Sequence, residues 1–374
     1  MARIVVLSQR SVRHPLSGGA GRYIHEIFRR LTDRHSITIL SSGGVLSKPI
    51  EEIDGIEYRQ FPEAYHRITL PARYLTKFAR KTDFLIDNSD VGIPWLSPFY
   101  TKVPKILVTY QVARDIFHFE LARPLSEIAV SLEPRIYSAY RNNRIVTCSP
   151  STKDDLVSLG IPSERVSVIR PGIDDSFRRF EPDGVKFDNP TIICISRFRR
   201  YKGLSFAVRS MKFVLEKVPR AKLVIVGNGD PTELKEEVSR TNYSGSIQIL
   251  ERVPNTWNAE KMVMLSRSYL LLIPSIREGY GIVVIEANAC GTPAIGWAVP
   301  GIKDSIVNGK TGLLVPYSDV PALGETIAKV LEKESTQLDD LSQPAIDWAK
   351  QHSWDTSADL FAKAIDSETR FSEM

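Results

Sequence analysis

Cysteine is scarce in this chain: 374 residues hold three, Cys148, Cys194 and Cys290, odd in number and far apart. They stand in no metal-binding or redox spacing, so a reducing cytosol is the expected compartment. Long apolar runs are missing too. No stretch approaches the roughly 18 apolar residues of a membrane span, and "YLLLIP" (269–274), among the longer runs, reads as a buried strand. The opening "MARIVVLSQR" holds too short an apolar run for a signal peptide and meets charge at once. Neither a short-period repeat nor a low-complexity tract occurs. The G-x-G-x-x-G dinucleotide fingerprint is absent from both halves, which argues against a nicotinamide dehydrogenase.

What remains is the composition of an ordinary globular protein, 43% hydrophobic and 25% charged. The length suits two domains of roughly 150–200 residues better than one core. Net charge is +5 but uneven: residues 1–170 carry 24 Lys+Arg against 17 Asp+Glu, the remainder 25 against 27. The basic first half suits an anionic partner such as a membrane surface or a phosphorylated substrate, or is simply a solvated surface. No nucleic-acid partner is expected.

Short β-rich apolar runs alternate with amphipathic helical patterns, the signature of parallel sheets covered on both faces. The first series is "RIVVLS" (3–8), "SITILS" (36–41), "DFLID" (83–87), "KILVTY" (105–110), "RIVTCS" (144–149) and "VSVIR" (166–170). The second is "TIICIS" (191–196), "KLVIVG" (222–227), "SIQIL" (246–250), "YLLLIP" (269–274), "PAIGWA" (293–298) and "TGLLVP" (311–316). Between them, "RPGIDDSFRRFEPDGVKFDNP" (170–190) reads as a linker. The expectation is an α/β chain of two Rossmann-like, doubly wound domains facing across a cleft, with ligands at the strands' carboxyl ends.

The most informative stretch is "REGYGIVVIEANACGTP" (277–293). A loop leaves a strand near Pro274, and a helix starts near Ile282. Gly279 and Gly281 let a ligand approach the backbone, and the helix start offers unpaired N–H groups and partial positive charge. Glu278 precedes the helix and Glu286 lies within it, so the two acids flank a phosphate site. Carboxylates accept strong hydrogen bonds from hydroxyls, so a pyrophosphate between two sugars fits that layout. A capping carboxylate and an ordinary helix acid would look the same. A second motif, "ISRFRRYKG" (195–203), also follows a strand. Arg197 and Lys202 suit a diphosphate whose charge builds as it leaves, whereas Arg199 and Arg200 read equally as solvated surface. In the first half, Gly18 and Gly19 of "SGGAGRYIHEI" (17–27) precede a helix, a weak phosphate signal or a plain turn; "VGNGD" (226–230) reads as a tight turn.

Taken together, "SGGAGRY", "SRFRRYKG", "LVIVGNGD", "PSIREGYGIVVIEANACGTPAIG" and "VPGIKDSIVNGKTGLLV" resemble glycosyltransferase family 4 of the GT-B fold over essentially the whole chain. The acid pair matches that family's E-x7-E pattern. The resemblance implies three segments: an acceptor-side domain over 1–170, a nucleotide-sugar domain over 171–352, and a last helix over 353–374 crossing back to the first domain. It implies a retaining transfer of a hexose from a UDP- or GDP-linked donor, without metal or other cofactor. Glu278 would then bind donor-sugar hydroxyls beside the anomeric carbon, with Arg197 and Lys202 on the diphosphate. Backbone at Gly279, Tyr280, Gly281, Ile282 and Val283 would meet sugar and phosphate, Glu286 the ribose, and backbone around Val253 the base. In many members the strand matching "KILVTY" ends in a histidine near the reacting sugar; here Tyr110 stands there. Tyrosine is a poor base at neutral pH, so either the departing phosphate serves as base, His118 substitutes, or the protein is a catalytically impaired nucleotide-sugar-binding partner.

The acceptor is expected to be lipid-linked or a saccharide. Residues 64–83, "AYHRITLPARYLTKFARKTD", interleave Arg67, Arg73, Lys77, Arg80 and Lys81 with Leu70, Tyr74, Leu75 and Phe78. That pattern reads either as a basic amphipathic helix at the inner face of a membrane or as a helix packed on its own sheet.

Overall fold

The computed structural model describes residues 1–373 apart from 44–47, 64–65, 90–92, 252–257 and 333–336. The chain divides into two compact units, Met1–Gly172 with Ser353–Met374, and Ile173–His352.

The first unit is built on eight strands: β1 (Ala2–Arg10), β2 (His35–Ser42), β3 (Ile50–Ile53), β4 (Ile56–Phe61), β5 (Phe84–Ser89), β6 (Lys105–Thr109), β7 (Arg144–Thr147) and β8 (Val166–Val168). Their order is β3-β4-β2-β1-β5-β6-β7-β8. All neighbours are parallel except β3 and β4. That hairpin is missing from the expected strands. It turns on Asp54 and Gly55, both with positive φ (51° and 77°), the Asp-Gly chemistry of a two-residue turn. Ile4, Val6 and Leu7 of β1, with Leu85 and Ile86 of β5, are at most 1% exposed, because helices cover both faces of a parallel sheet. The final helix, Trp354–Glu373, belongs to this unit, its Phe361 ring 5.2 Å from Phe28.

Within the basic stretch, a helix runs His66–Lys77, and Leu70 and Tyr74 are fully buried in a cluster with Leu7, Leu40 and Leu85. Ile68 and Leu75 stay exposed. Ala64 and Tyr65 lie outside the described residues. Among the described residues, no helix is long and apolar enough to cross a membrane.

The second unit carries β9 (Thr191–Arg197), β10 (Lys222–Asn228), β11 (Ile247–Glu251), β12 (Leu270–Ile273), β13 (Ala294–Trp297) and β14 (Gly312–Val315). The order is β11-β10-β9-β12-β13-β14, parallel throughout. The unit is therefore doubly wound. Strand order reverses between β9 and β12, where successive crossovers go to opposite faces and the loops at the carboxyl ends part to leave a crevice. Those two loops are the ones that carry the charged motifs.

Candidate functional site

The loop after β9 runs through Phe198 and Arg199 into a 3-10 turn, Arg200–Lys202, closed by Gly203. Gly203 adopts φ +64°, and a Cβ there would lie 2.1 Å from the Pro274 carbonyl oxygen, so the two loops touch where only glycine fits. The Ile276 amide donates to the Tyr201 carbonyl at 3.0 Å, and Trp297 Nε1 donates to Pro274 O at 2.9 Å. The glutamate loop is thus pinned from β9 on one side and β13 on the other. A third tie comes from the loop after β13, where the Glu278 amide donates to Pro300 O at 3.1 Å.

On this frame Lys202 Nζ lies 2.5 Å from Glu278 Oε1, and Ser275 Oγ donates to the same oxygen at 2.7 Å. Both charged side chains are 13% exposed. Burial disfavours the Lys202 ammonium, but the adjacent Glu278 charge, with Tyr201 behind it, outweighs that and raises its pKa. Arg197, the last residue of β9, donates through Nη2 to the Tyr201 hydroxyl at 3.2 Å. Arg197, Lys202 and Glu278 are therefore gathered at the mouth of the crevice.

Gly281, with φ +85°, is the N-cap of the helix Ile282–Ala289 and offers no side chain to the amides of Ile282 and Val283. Those amides are the orphan donors of a helix start. Glu286 sits one turn in and is nearly closed from solvent. Its Oε1 accepts from Lys261 Nζ at 2.8 Å, and the Lys261 nitrogen lies 5.1 Å from the Phe177 ring centre. Tyr280 turns its side chain inward, its hydroxyl 2.6 Å from His352 Nε2, while His352 Nδ1 lies 3.0 Å from Trp348 O. Only backbone at Tyr280 is left to face a ligand. Val253 lies outside the described residues.

In the first unit, Gly18 precedes the helix Gly19–Phe28, and a Cβ on it would meet nothing within 4 Å. Tyr110 follows β6 and lies close by, its hydroxyl 3.0 Å from Ala20 O and 2.8 Å from Asn88 Oδ1. The one hydroxyl hydrogen is shared between two protein acceptors there. His118 is exposed on the short helix Ile116–Glu120.

Four functional candidates escaped the sequence reading: Ser275, Lys261, His352 and Asn88. Ser275 adjoins the motif and was within reach. The other three are brought in by the fold from other elements.

Two family descriptions match the chain: "Glycosyltransferase Family 4" over residues 17–177 and "Glycosyl transferases group 1" over residues 176–348. A D-inositol 3-phosphate glycosyltransferase of Mycobacteroides abscessus is 26% identical over 58% of this chain and 50% of its own length. The chain spans about half the length of the relatives of that name. An uncharacterised glycosyltransferase of Methanocaldococcus jannaschii is 26% identical over 87% of both chains. An Anabaena protein solved in complex with UDP and glucose superposes with a TM-score of 0.79 at 16% identity, over 98% of this chain and 100% of that one. With two parallel-sheet α/β units and family matches running from residue 17 to residue 348, the chain belongs to glycosyltransferase family 4 and has the GT-B fold.

Proposed function

We propose that the protein is a retaining, metal-independent hexosyltransferase that moves a sugar from a UDP- or GDP-linked donor to a lipid-linked or saccharide acceptor. The observation that carries this reading is the Lys202–Glu278 pair, held with Arg197 at the switch point beside an uncapped helix start. A dianionic leaving group needs positive charge close by, which Arg197, Lys202 and the amides from Gly279 to Val283 supply. Glu278 accepts from hydroxyls of the transferred sugar, and Glu286 from those of the ribose.

In the reaction the bond between the anomeric carbon and the diphosphate oxygen breaks, and its electron pair leaves with the phosphate. The acceptor oxygen bonds to the same face of that carbon and passes its proton to the departing phosphate oxygen. Lys202, already charged, shifts its hydrogen bonds from Glu278 toward the phosphate as negative charge builds. Tyr110 stands on the sugar side on this reading, with Gly18 and Gly19 leaving room for the ligand.

The relatives' names support the activity, and the Anabaena complex supports a UDP-sugar donor. The acceptor side rests on residues 64–83, where exposed Ile68 and Leu75 accompany Lys77, Arg80 and Lys81. That surface suits an anionic lipid at the cytosolic face of a membrane.

A panel of UDP- and GDP-linked sugars, scored for thermal stabilisation and for slow nucleotide release, tests the proposal. Stabilisation by one donor with release of its nucleotide supports it. Binding with no turnover, even with membrane lipids supplied as acceptors, favours a binder that has lost catalysis. No binding by any donor overturns it.

A further inference from the structure

The acid pair is matched by a lysine pair. Glu278 has Lys202, and Glu286 has Lys261, a residue that nothing in the motifs singles out. Lys261 projects from the helix Asn258–Arg267 and lies 25 positions before Glu286. Its side chain is 10% exposed and that of Glu286 8%. The ammonium sits between the carboxylate and the Phe177 ring, so elements from three places in the unit enclose one ion pair.

A buried ion pair is a poor device for stability, because desolvation offsets its attraction and two apolar side chains would pack as well. Its use must lie in what it holds. Without Lys261, the enclosed carboxylate would lose the charge-assisted contact that fixes where it points. A displaced Glu286 accepts less well from two neighbouring hydroxyls.

We propose that Lys261 is the positioning residue for recognition of the donor's ribose: it holds the Glu286 carboxylate in place, so that the site distinguishes ribose from deoxyribose. This rests on the reading of Glu286 as the ribose ligand. Lys261 acts through Glu286 and touches no substrate.

The test is calorimetric titration of the full chain with UDP and 2′-deoxy-UDP, or with the guanosine pair if GDP is the nucleotide that binds. Wild type should prefer the ribonucleotide by about tenfold or more, the size of losing a hydrogen bond to a charged group. Lys261→Met should weaken ribonucleotide binding about tenfold while changing deoxynucleotide binding less than about threefold. Lys261→Arg, which keeps the charge, should retain part of the preference. The double variant Lys261→Met/Glu286→Gln should match Glu286→Gln alone, and it leaves no unpaired buried charge should the single variant fail to fold.

Equal loss of both nucleotides in Lys261→Met, or a further loss of preference on adding it to Glu286→Gln, overturns the role of Lys261. A wild type with no preference for ribose, or with no nucleotide binding, removes the ribose assignment of Glu286 itself and this proposal with it.

Discussion

Lys202 and Glu278 lie 76 residues apart in sequence and 2.5 Å apart in space, each at the end of a neighbouring strand of one sheet. The pair explains how two acids can stand beside a loop proposed to bind phosphate. Each acid has its own cation, so neither carboxylate meets an arriving anion uncompensated. Glu278→Gln keeps the shape and the serine contact but removes the charge. Turnover should fall by about 10²- to 10³-fold, the scale of losing one preorganised contact to the transition state. Nucleotide affinity should change only a few-fold. Lys202→Ala should reduce both affinity and turnover. Steady-state kinetics with separate nucleotide titrations check this, and wild-type turnover in the Glu278 variant would remove that residue from the mechanism.

Gly301 follows β13 with φ +82°, and a Cβ there would lie 2.0 Å from the Glu278 carbonyl oxygen. Gly309 has a similar φ of +75°, but a Cβ on it would meet nothing within 4 Å. A positive φ strains alanine at either position. Only at Gly301 must the Glu278 backbone also move. Gly301→Ala should therefore lose more stability than Gly309→Ala and lose activity as well, while Gly309→Ala keeps its activity. Urea unfolding and rate measurements on the two variants decide it; equal activity in both would mean that the loop tolerates the shift.

Most of the fold was legible because strands buried on both faces of a parallel sheet read as apolar runs, as "ILV" (106–108) and "LLLI" (270–273) do. The hairpin of β3 and β4 was not, since "IEEIDGIEYRQF" breaks its apolar residues with Glu51, Glu52, Asp54 and Glu57 and lies at a sheet edge, where one side meets water. Its Asp54-Gly55 turn was the available signal. At the site, Glu278 and Lys202 stand out because glycine and charge at a strand end have few other uses. Lys261 does not: within "NAEKMVMLSR" it reads as a surface helix residue, and only the packing of three elements buries it. The same holds for His352, 72 residues from the tyrosine it meets.

That meeting has a measurable consequence. Tyr280 and His352 are 2% and 3% exposed, and their contact ties the glutamate loop to the last residue of the second unit. Tyr280→Phe keeps the ring but strands His352 Nε2 in a dry setting. A buried group left without its partner costs about 1–3 kcal/mol. The expected result is a loss of that size in chemical unfolding, with weaker thermal stabilisation by a bound donor. Unchanged stability would show that water or another group replaces the hydroxyl.

Three histidines of the first unit set its response to acid. His25 is buried, with Nδ1 3.0 Å from the Tyr58 hydroxyl and Nε2 2.9 Å from Asp54. Burial lowers its pKa despite the Asp54 contact, and burial also lowers those of His14 and His35. A folded-state pKa below the unfolded value of 6.5 means that the unfolded chain binds more protons in that range. The stability these groups contribute is full above pH 6.5 and is lost as pH falls through their lowered folded values. Asp87 works in the opposite sense, since burial raises its pKa. Unfolding free energy measured from pH 8 down to about 5 should decline. His25→Gln, which cannot titrate, should flatten that decline even if it lowers stability at neutral pH. An identical slope in wild type and variant would show that His25 takes up its proton in the folded chain as readily as in the unfolded one.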